Sequence, residues 1–157
     1  MLGYDDILML CDDAGLIVKE KKLTVFDGLI FDRRVAVRSD IETSAEKSQV
    51  LAEELGHHYL TVGNILDQTD VNNRRQERIA RDFGYDLKIG LDGIISAFEA
   101  GCRNKYEIAE HLNCTVTYLT DAIERYHQKY GLFAKHGNYV ICFEPLYVAK
   151  NLQGRCK

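Results

Sequence analysis

The segment AEELGHHYL, residues 52–60, contains two glutamates and two histidines at spacings that suit metal binding. On a helix, side chains four positions apart lie on the same face, so Glu53 can share an ion with His57, and Glu54 with His58. The segment has the zinc-protease pattern His-Glu-x-x-His with glutamate in place of the first histidine. Carboxylate oxygen also binds zinc, at about 2.0 to 2.2 Å. The residues therefore indicate a metal-dependent hydrolase.

The two possible ligand pairs differ in the residue that follows their first member. In His-Glu-x-x-His enzymes this next residue is the carboxylate that takes a proton from the attacking water. With Glu53 and His57 as ligands, the next residue is Glu54, which can act as this base. With Glu54 and His58 as ligands, the next residue is Leu55, which cannot. We therefore predict Glu53 and His57 as metal ligands and Glu54 as the catalytic base.

A catalytic zinc normally takes three protein ligands, so another must come from elsewhere in the chain. Glu77 is the best candidate, because Ala80 and Gly84 on its face of a predicted helix would let a neighbouring helix approach closely. Arg74 and Arg81 also lie at helical spacing from Glu77, which leaves open that it only forms surface ion pairs. The weaker candidates for the third ligand are Asp67, Asp70 and His111.

A plain alternative is that residues 53–58 form a solvated helix face, since charged pairs four positions apart are common on protein surfaces. His58 and Tyr59 adjoin the motif and are able to hydrogen-bond a developing oxyanion. Residues of these types are more often packing groups, so we assign them no role.

The elements before the motif alternate between helical and strand patterns. Residues 4–14 have the apolar spacing of a short helix ending at Gly15. Residues 16–38 have a period near two, which predicts short antiparallel strands with turns at Asp27-Gly28 and at 32–34. The segment Thr43-Ser-Ala-Glu46 predicts a capping box at the start of the helix that carries the motif. A small antiparallel sheet is therefore expected to precede the metal-binding helix.

The segments after the motif are predicted as a loop, four helices and a hairpin. They are a loop from Gly63 to Asn73, two helices within 74–101 separated near Gly90, two short helices within 104–131 around Asn113-Cys114, and a hairpin turning at 136–138. The order predicts an α+β fold in three regions. They are residues 1–89 with the metal site, 90–131 as a helix-turn-helix-like helical module, and 132–157 as a C-terminal hairpin and tail.

Composition restricts the class of protein. An apolar fraction of 46%, a charged fraction of 28% and one proline are typical of a globular domain. The net charge of −4 argues against a dedicated nucleic-acid binder. Five scattered cysteines without a Cys-x-x-Cys pair predict neither a disulfide framework nor a thiolate zinc site. The N-terminus is acidic and no apolar run reaches the roughly 20 residues of a membrane span, so a cytoplasmic protein is expected.

The second of the two short helices is a poor candidate for reading DNA. It has no basic residue between Thr115 and Glu124, and its first is Arg125. The sequence therefore argues against DNA binding and favours a module that grips a protein substrate. One alternative stays open, which is a modest basic patch that faces phosphate groups. It would be formed by Lys105, Arg125, Lys129 and Lys135.

Four segments together resemble the ImmA/IrrE family of metallopeptidases, and the similarity extends from about Gly28 onward. They are LAEELGHHYLTVGNILDQ, RRQERIARDFGYDL, YEIAEHLNCTVTYLTDAIERYHQKYG and YVICFEPLYV. The resemblance implies a zincin-like peptidase core followed by a helix-turn-helix-like segment. It also implies zinc as cofactor and a phage or mobile-element repressor as substrate, as for the family's prophage members.

Carried over by position, the family's Glu-x-x-His core falls on Glu54 to His57, and its downstream ligand falls on Glu77. The family's first histidine falls on Glu53, where this sequence departs from the pattern.

The sequence leads to two hypotheses about function. The first is a zinc-dependent endopeptidase that cleaves a repressor and derepresses the element's genes. The alternative is a catalytically degenerate regulatory protein that binds through its helix-turn-helix-like module.

Overall fold

The chain forms an α+β fold in two compact units. The computed structural model describes residues 1–60 and 70–150, except for the side chains of 70 and 71. One unit spans Leu2–Lys88, here the first unit, and the second begins at Ile89. The described elements are α1 (Tyr4–Asp13), β1 (Ile17–Lys21), β2 (Gly28–Phe31), β3 (Arg34–Arg38), α2 (Ser44–Leu60), α3 (Asp70–Lys88), α4 (Gly90–Glu99), α5 (Lys105–His111), α6 (Val116–Tyr130), β4 (Phe133–His136), β5 (Tyr139–Phe143) and β6 (Leu146–Lys150).

The sheet of the first unit has the strand order β1-β3-β2. Strands β2 and β3 are antiparallel and joined by a tight turn, in which Asp32 has a φ of 55°. Strand β1 pairs with the other edge of β3 and runs parallel to it, so the expectation of antiparallel strands throughout is wrong for this pair. The reason is the segment 22–27 between β1 and β2. It is long enough to carry the chain across β3, which a tight turn could not do.

The core of the first unit lies between this sheet and helices α1 and α2. Apolar side chains from all of these elements are buried in it: Ile7, Cys11, Leu16, Val35, Val37, Ile41, Leu51, Ala52 and Leu55. Helix α2 begins as predicted, because the Thr43 hydroxyl oxygen accepts a hydrogen bond from the Glu46 amide at 3.2 Å and donates to its carboxylate at 2.8 Å. The cap and the core contacts together fix which face of α2 points away from the sheet.

Helices α2 and α3 pack at a very short distance from each other. A β-carbon placed on Gly56 would lie 2.7 Å from the carbonyl oxygen of Ala80, so only glycine fits at this crossing. The prediction that Ala80 permits close helix packing is confirmed. Helix α3 begins at Asp70, so the predicted loop is wrong for residues 70–73, while residues 63–69 lie outside the described part of the chain.

In the second unit, helices α4 and α6 pack against the three-stranded antiparallel sheet β4-β5-β6, and helix α5 packs against these two helices. The predicted helix break at Gly90 is confirmed by its φ of 58°. Helix α5 is capped by Asn104, whose side-chain oxygen accepts from the amides of Tyr106 and Glu107, both at 3.0 Å. The predicted hairpin is present as β4 and β5. A third strand, β6, follows Pro145 and was not predicted.

Membrane insertion through a helix finds no support in the described residues. None of the described helices combines the length and the apolar character that a membrane span requires.

Candidate metal centre

The candidate metal centre is assembled from two helices of the first unit. Helix α2 carries Glu53 and His57 one turn apart, and α3 carries Glu77. Glu77 lies one turn before Ala80, the residue that contacts Gly56, and Gly56 directly precedes His57. The close helix crossing therefore places Glu77 opposite the His57 side of α2.

Glu53, His57 and Glu77 each offer one ligand atom, and these three atoms all lie within 4.8 Å of one another. The His57 Nε2 atom is 3.5 Å from the Glu77 Oε1 atom. A tetrahedral ion with ligands at about 2.0 to 2.1 Å separates neighbouring ligand atoms by roughly 3.3 Å. The His57–Glu77 pair is thus close to the spacing that one ion requires. One imidazole nitrogen and two carboxylates form a donor set that divalent transition metals accept, so these residues fit such an ion.

Glu53 is held by a neighbouring cation on α3. Its Oε1 atom is 3.4 Å from the Nε atom of Arg81, an exposed residue one turn beyond Glu77. Burial raises the pKa of Glu53, and Arg81 opposes this shift. The sequence left open an ion pair of Arg81 with Glu77, whereas the contact in the structure joins Arg81 to Glu53. Arg81 therefore contacts one oxygen of the Glu53 carboxylate, the group that would also have to bind a metal ion.

Glu54 points in another direction, towards the sheet. It is only 8% exposed. A β-carbon placed on Gly28 in β2 would lie 2.6 Å from its Oε1 atom, so any larger residue there would displace the carboxyl group. Burial raises the pKa of Glu54 to about 8, and the negative charges of Glu53 and Glu77 contribute to the same shift. Glu54 is thus a desolvated carboxyl group on the helical turn that carries Glu53, and without a bound ion its raised pKa keeps it protonated near neutral pH.

The other residues weighed from the sequence do not join this group. The ring of His58 packs at 5.2 Å from that of Tyr59, which in turn lies 5.8 Å from the ring of Phe83. Asp67 and the side chain of Asp70 lie outside the described residues. His111 belongs to the second unit, where its Nε2 atom is 3.1 Å from the Ser96 hydroxyl group. Among the described residues, the cluster with metal-binding geometry consists of Glu53, His57 and Glu77.

Three supporting residues were missed from the sequence. Gly28 was interpreted as part of a turn, but it lies in strand β2, and Gly56 was given no role. Lys88 is 2% exposed, and its Nζ atom donates to the Ser48 hydroxyl and to the Leu2 carbonyl, both at 2.8 Å. A glycine inside a helical or strand pattern often marks the close approach of another segment. This signal could have indicated the roles of Gly28 and Gly56. The buried lysine has no signal in the sequence.

Comparison of the chain with protein-family models, curated proteins and solved structures finds no match in any of the three.

Proposed function

We propose that the chain is a divalent-metal-dependent endopeptidase that uses zinc. One observation carries the proposal: Glu53, His57 and Glu77 converge within the reach of a single ion, and a buried carboxyl group, Glu54, lies on the same helical turn. Ligands without an adjacent base would fit a structural site equally well, whereas the combination is what metal-assisted hydrolysis needs. The zincin-like character of the core and the helix-turn-helix-like character of the second unit are parts of this proposal.

The residues have separate roles in this proposal. A bound zinc ion would polarise the scissile carbonyl group and acidify water. His57, Glu53 and Glu77 hold the ion, and Arg81 orients Glu53. Glu54 accepts the proton from water and passes it to the leaving amine. When Glu53 and Glu77 bind a cation, the negative charge that raises the pKa of Glu54 is offset, so its carboxyl group ionises more readily.

Strand β2 offers a place for an extended substrate peptide. Among the described strands it pairs only with β3, which leaves its second edge for backbone hydrogen bonds with another chain. Gly28, which adjoins the Glu54 carboxyl group, lies at the start of this strand. An extended peptide along β2 would therefore pass close to the proposed base.

The substrate class rests on the resemblance to ImmA/IrrE proteins, and it is a repressor protein of a phage or mobile element. The second unit is proposed to grip this protein rather than DNA. The first nine residues of α6 expose Thr117, Thr120, Asp121 and Glu124, which offer no positive charge to a phosphate backbone. We expect no operator-like affinity, near the roughly 10 nM typical of specific sites, in a mobility assay with duplex DNA at physiological salt.

Metal content tests the first step of the proposal. Protein purified without chelator and incubated with zinc is expected to retain about one equivalent per chain in elemental analysis. Parallel titrations with Mn²⁺ and Co²⁺ test the choice of metal, because two carboxylates and one imidazole also suit these ions. Less than roughly a tenth of an equivalent of each metal would exclude the site.

Cleavage tests the second step. Glu54→Gln keeps the size of the side chain but cannot accept a proton, so cleavage of the co-expressed repressor is expected to fall by at least about 100-fold while zinc is retained. Glu42→Gln makes the same change at an exposed position of the first unit and serves as the matched control. Normal cleavage by Glu54→Gln would disprove the assigned base. Zinc binding without cleavage by the unaltered protein would favour the regulatory alternative.

A further inference from the structure

The sheet of the first unit has a second face that points away from the core. Val35 and Val37 are buried, and because side chains alternate along a strand, Arg34 and Ala36 point to the opposite face. Strand pairing places Ile17 and Phe31 beside Arg34, and Lys19 and Leu29 beside Ala36. The outer sheet face is defined here as Ile17, Lys19, Leu29, Phe31, Arg34 and Ala36.

The outer sheet face is apolar and exposed. Phe31 is 78% exposed, Ile17 56% and Leu29 48%. Single exposed apolar residues are ordinary, but three large ones on adjacent strands around Ala36 form a contiguous patch, and such patches mark interaction sites. None of these residues belongs to the candidate metal centre. Glu54 contacts Gly28 from the core side of the same strand.

The outer sheet face is also positively charged within an acidic protein. Residues 17–38 contain six basic and three acidic residues, whereas the whole chain has a net charge of −4. Two of the acidic residues are engaged in ion pairs, Glu20 with Lys47 on α2 and Asp27 with Arg38. With Asp32 beside Arg33, Lys19 and Arg34 give the apolar patch a positive charge, which a negatively charged partner complements.

Size and chemistry distinguish among anionic partners. Strands of four to five residues span roughly 16 Å, and three strands span roughly 10 Å, which matches the footprint of one three-turn helix. A second copy of the same face would oppose like charges. Nucleic acid prefers stacking aromatics, and Phe31 is the single aromatic among the six residues of the face. Aliphatic Ile17, Leu29 and Ala36 instead suit the apolar stripe of an amphipathic helix.

We infer that the outer sheet face is a docking site for an acidic amphipathic helix of a partner protein. The apolar stripe of the helix covers Phe31, Leu29 and Ile17, and its acidic flanks pair with Arg34 and Lys19. This inference is independent of the proposed peptidase activity, because the docking face and the metal ligands lie on opposite sides of the sheet.

The probe for the test is a labelled synthetic helical peptide of about four turns, with a leucine stripe and glutamate flanks. Fluorescence anisotropy is expected to give a dissociation constant below about 100 µM, which weakens with added salt. Two double variants should each weaken binding by about tenfold or more. They are Leu29→Ser with Phe31→Ser, and Lys19→Glu with Arg34→Glu. Met9→Ser and Lys105→Glu make the same kinds of change at exposed positions elsewhere and should leave binding within about twofold.

The inference is overturned if a scrambled peptide, or a peptide with lysine in place of glutamate, binds the protein as tightly as the designed peptide. It is also overturned if neither double variant binds the designed peptide more weakly than the unaltered protein does. Single-stranded DNA or anionic lipid vesicles could bind more strongly than the peptide and lose this binding in the same variants. That result would assign the face to that ligand instead. Circular dichroism and zinc titration of each variant report folding and the metal centre separately, so a misfolded variant or a failed metal site is recognised as such.

Discussion

The two units treat ionisable side chains in opposite ways. In the described part of the chain, the buried polar and charged side chains are Ser48, Gln49, Glu54 and Lys88, and all four belong to the first unit. Burying such groups costs free energy unless hydrogen bonds or charges compensate for the lost water. Lys88 is compensated by Ser48 and by a backbone carbonyl, whereas Glu54 instead has its pKa raised.

The second unit keeps its ionisable pairs at the surface. His136 contacts Asp92 at 2.7 Å, and Tyr139 donates a hydrogen bond to Glu99, while the interior around Ile94 and Ile141 is apolar. Exposed pairs of this kind contribute little to stability and tune no reactive group. The contrast teaches that the first unit brings desolvated carboxyl groups near one another, as the proposed metal site needs, whereas the second unit keeps its ion pairs in contact with solvent. The predictions below test this contrast.

The largest expected effect is on metal affinity. His57→Ala should lower zinc affinity by at least about 100-fold, because loss of even an indirect partner of a metal ligand costs about 10- to 100-fold. His111→Ala makes the same change in the second unit and should leave affinity within about twofold. Competition titration with a chromogenic chelator measures both. An equal loss in the two variants would remove the distinction between the units.

The second prediction concerns pH and the stability of metal-free protein. The pKa of Glu54 is raised from 4.5 to about 8, so its protonated form stabilises the fold. This stabilisation is complete below about pH 4.5 and is lost as the pH rises through about 8. Glu54→Gln mimics the protonated group, so at pH 8 it should raise the free energy of unfolding by on the order of a few kcal/mol relative to the unaltered protein.

Urea unfolding between pH 5 and pH 8.5 measures this effect. The difference between Glu54→Gln and the unaltered protein should grow with pH, whereas Glu110→Gln, an exposed change in the second unit, should give a flat difference. A constant difference for Glu54→Gln across this range would mean that its carboxyl group does not titrate with a raised pKa.

The third prediction sharpens the role of Glu53. Because zinc binds imidazole well, Glu53→His is expected to raise zinc affinity by about tenfold without unfolding the protein. The change also removes the carboxylate that Arg81 contacts. Glu42→His provides the control for an added histidine. A weaker-binding Glu53→His protein would show that residue 53 is not a ligand.

The smallest expected effect is in the second unit. Asn104→Ala removes the cap of α5 and should lower the free energy of unfolding by about 1 kcal/mol, with zinc affinity unchanged. Asn104→Ser restores a capping oxygen and should recover most of the loss. Thermal unfolding and zinc titration of the same samples measure the two quantities. A change in zinc affinity would indicate that the two units are coupled.

Local patterns in the sequence were sufficient for most elements. Helix α1, the Thr43 cap of α2, the break at Gly90 and the turn at Asn113 are confirmed, because each depends on residues near to one another in the chain. The parallel pairing of β1 with β3 and the third strand β6 were not predicted. The pairing of β1 depends on which edge of a distant strand it meets, and no local pattern encodes that choice. Strand β6 pairs with its neighbour β5 across Glu144 and Pro145, so its pairing is local, and it was missed because the predicted hairpin ended before Pro145.

The sequence by itself determined which residues share a helix face. The spacing of Glu53 and His57, with Glu54 between them, follows from the 3.6-residue period alone. The tertiary structure decided that Glu77 meets them, because that meeting depends on the contact of Gly56 with Ala80 across two helices. It also decided that Glu54 is desolvated against Gly28, since burial is set by a strand 26 positions earlier in the chain. Periodicity is local and encoded in neighbours, whereas distances and burial depend on packing between segments that are far apart in sequence.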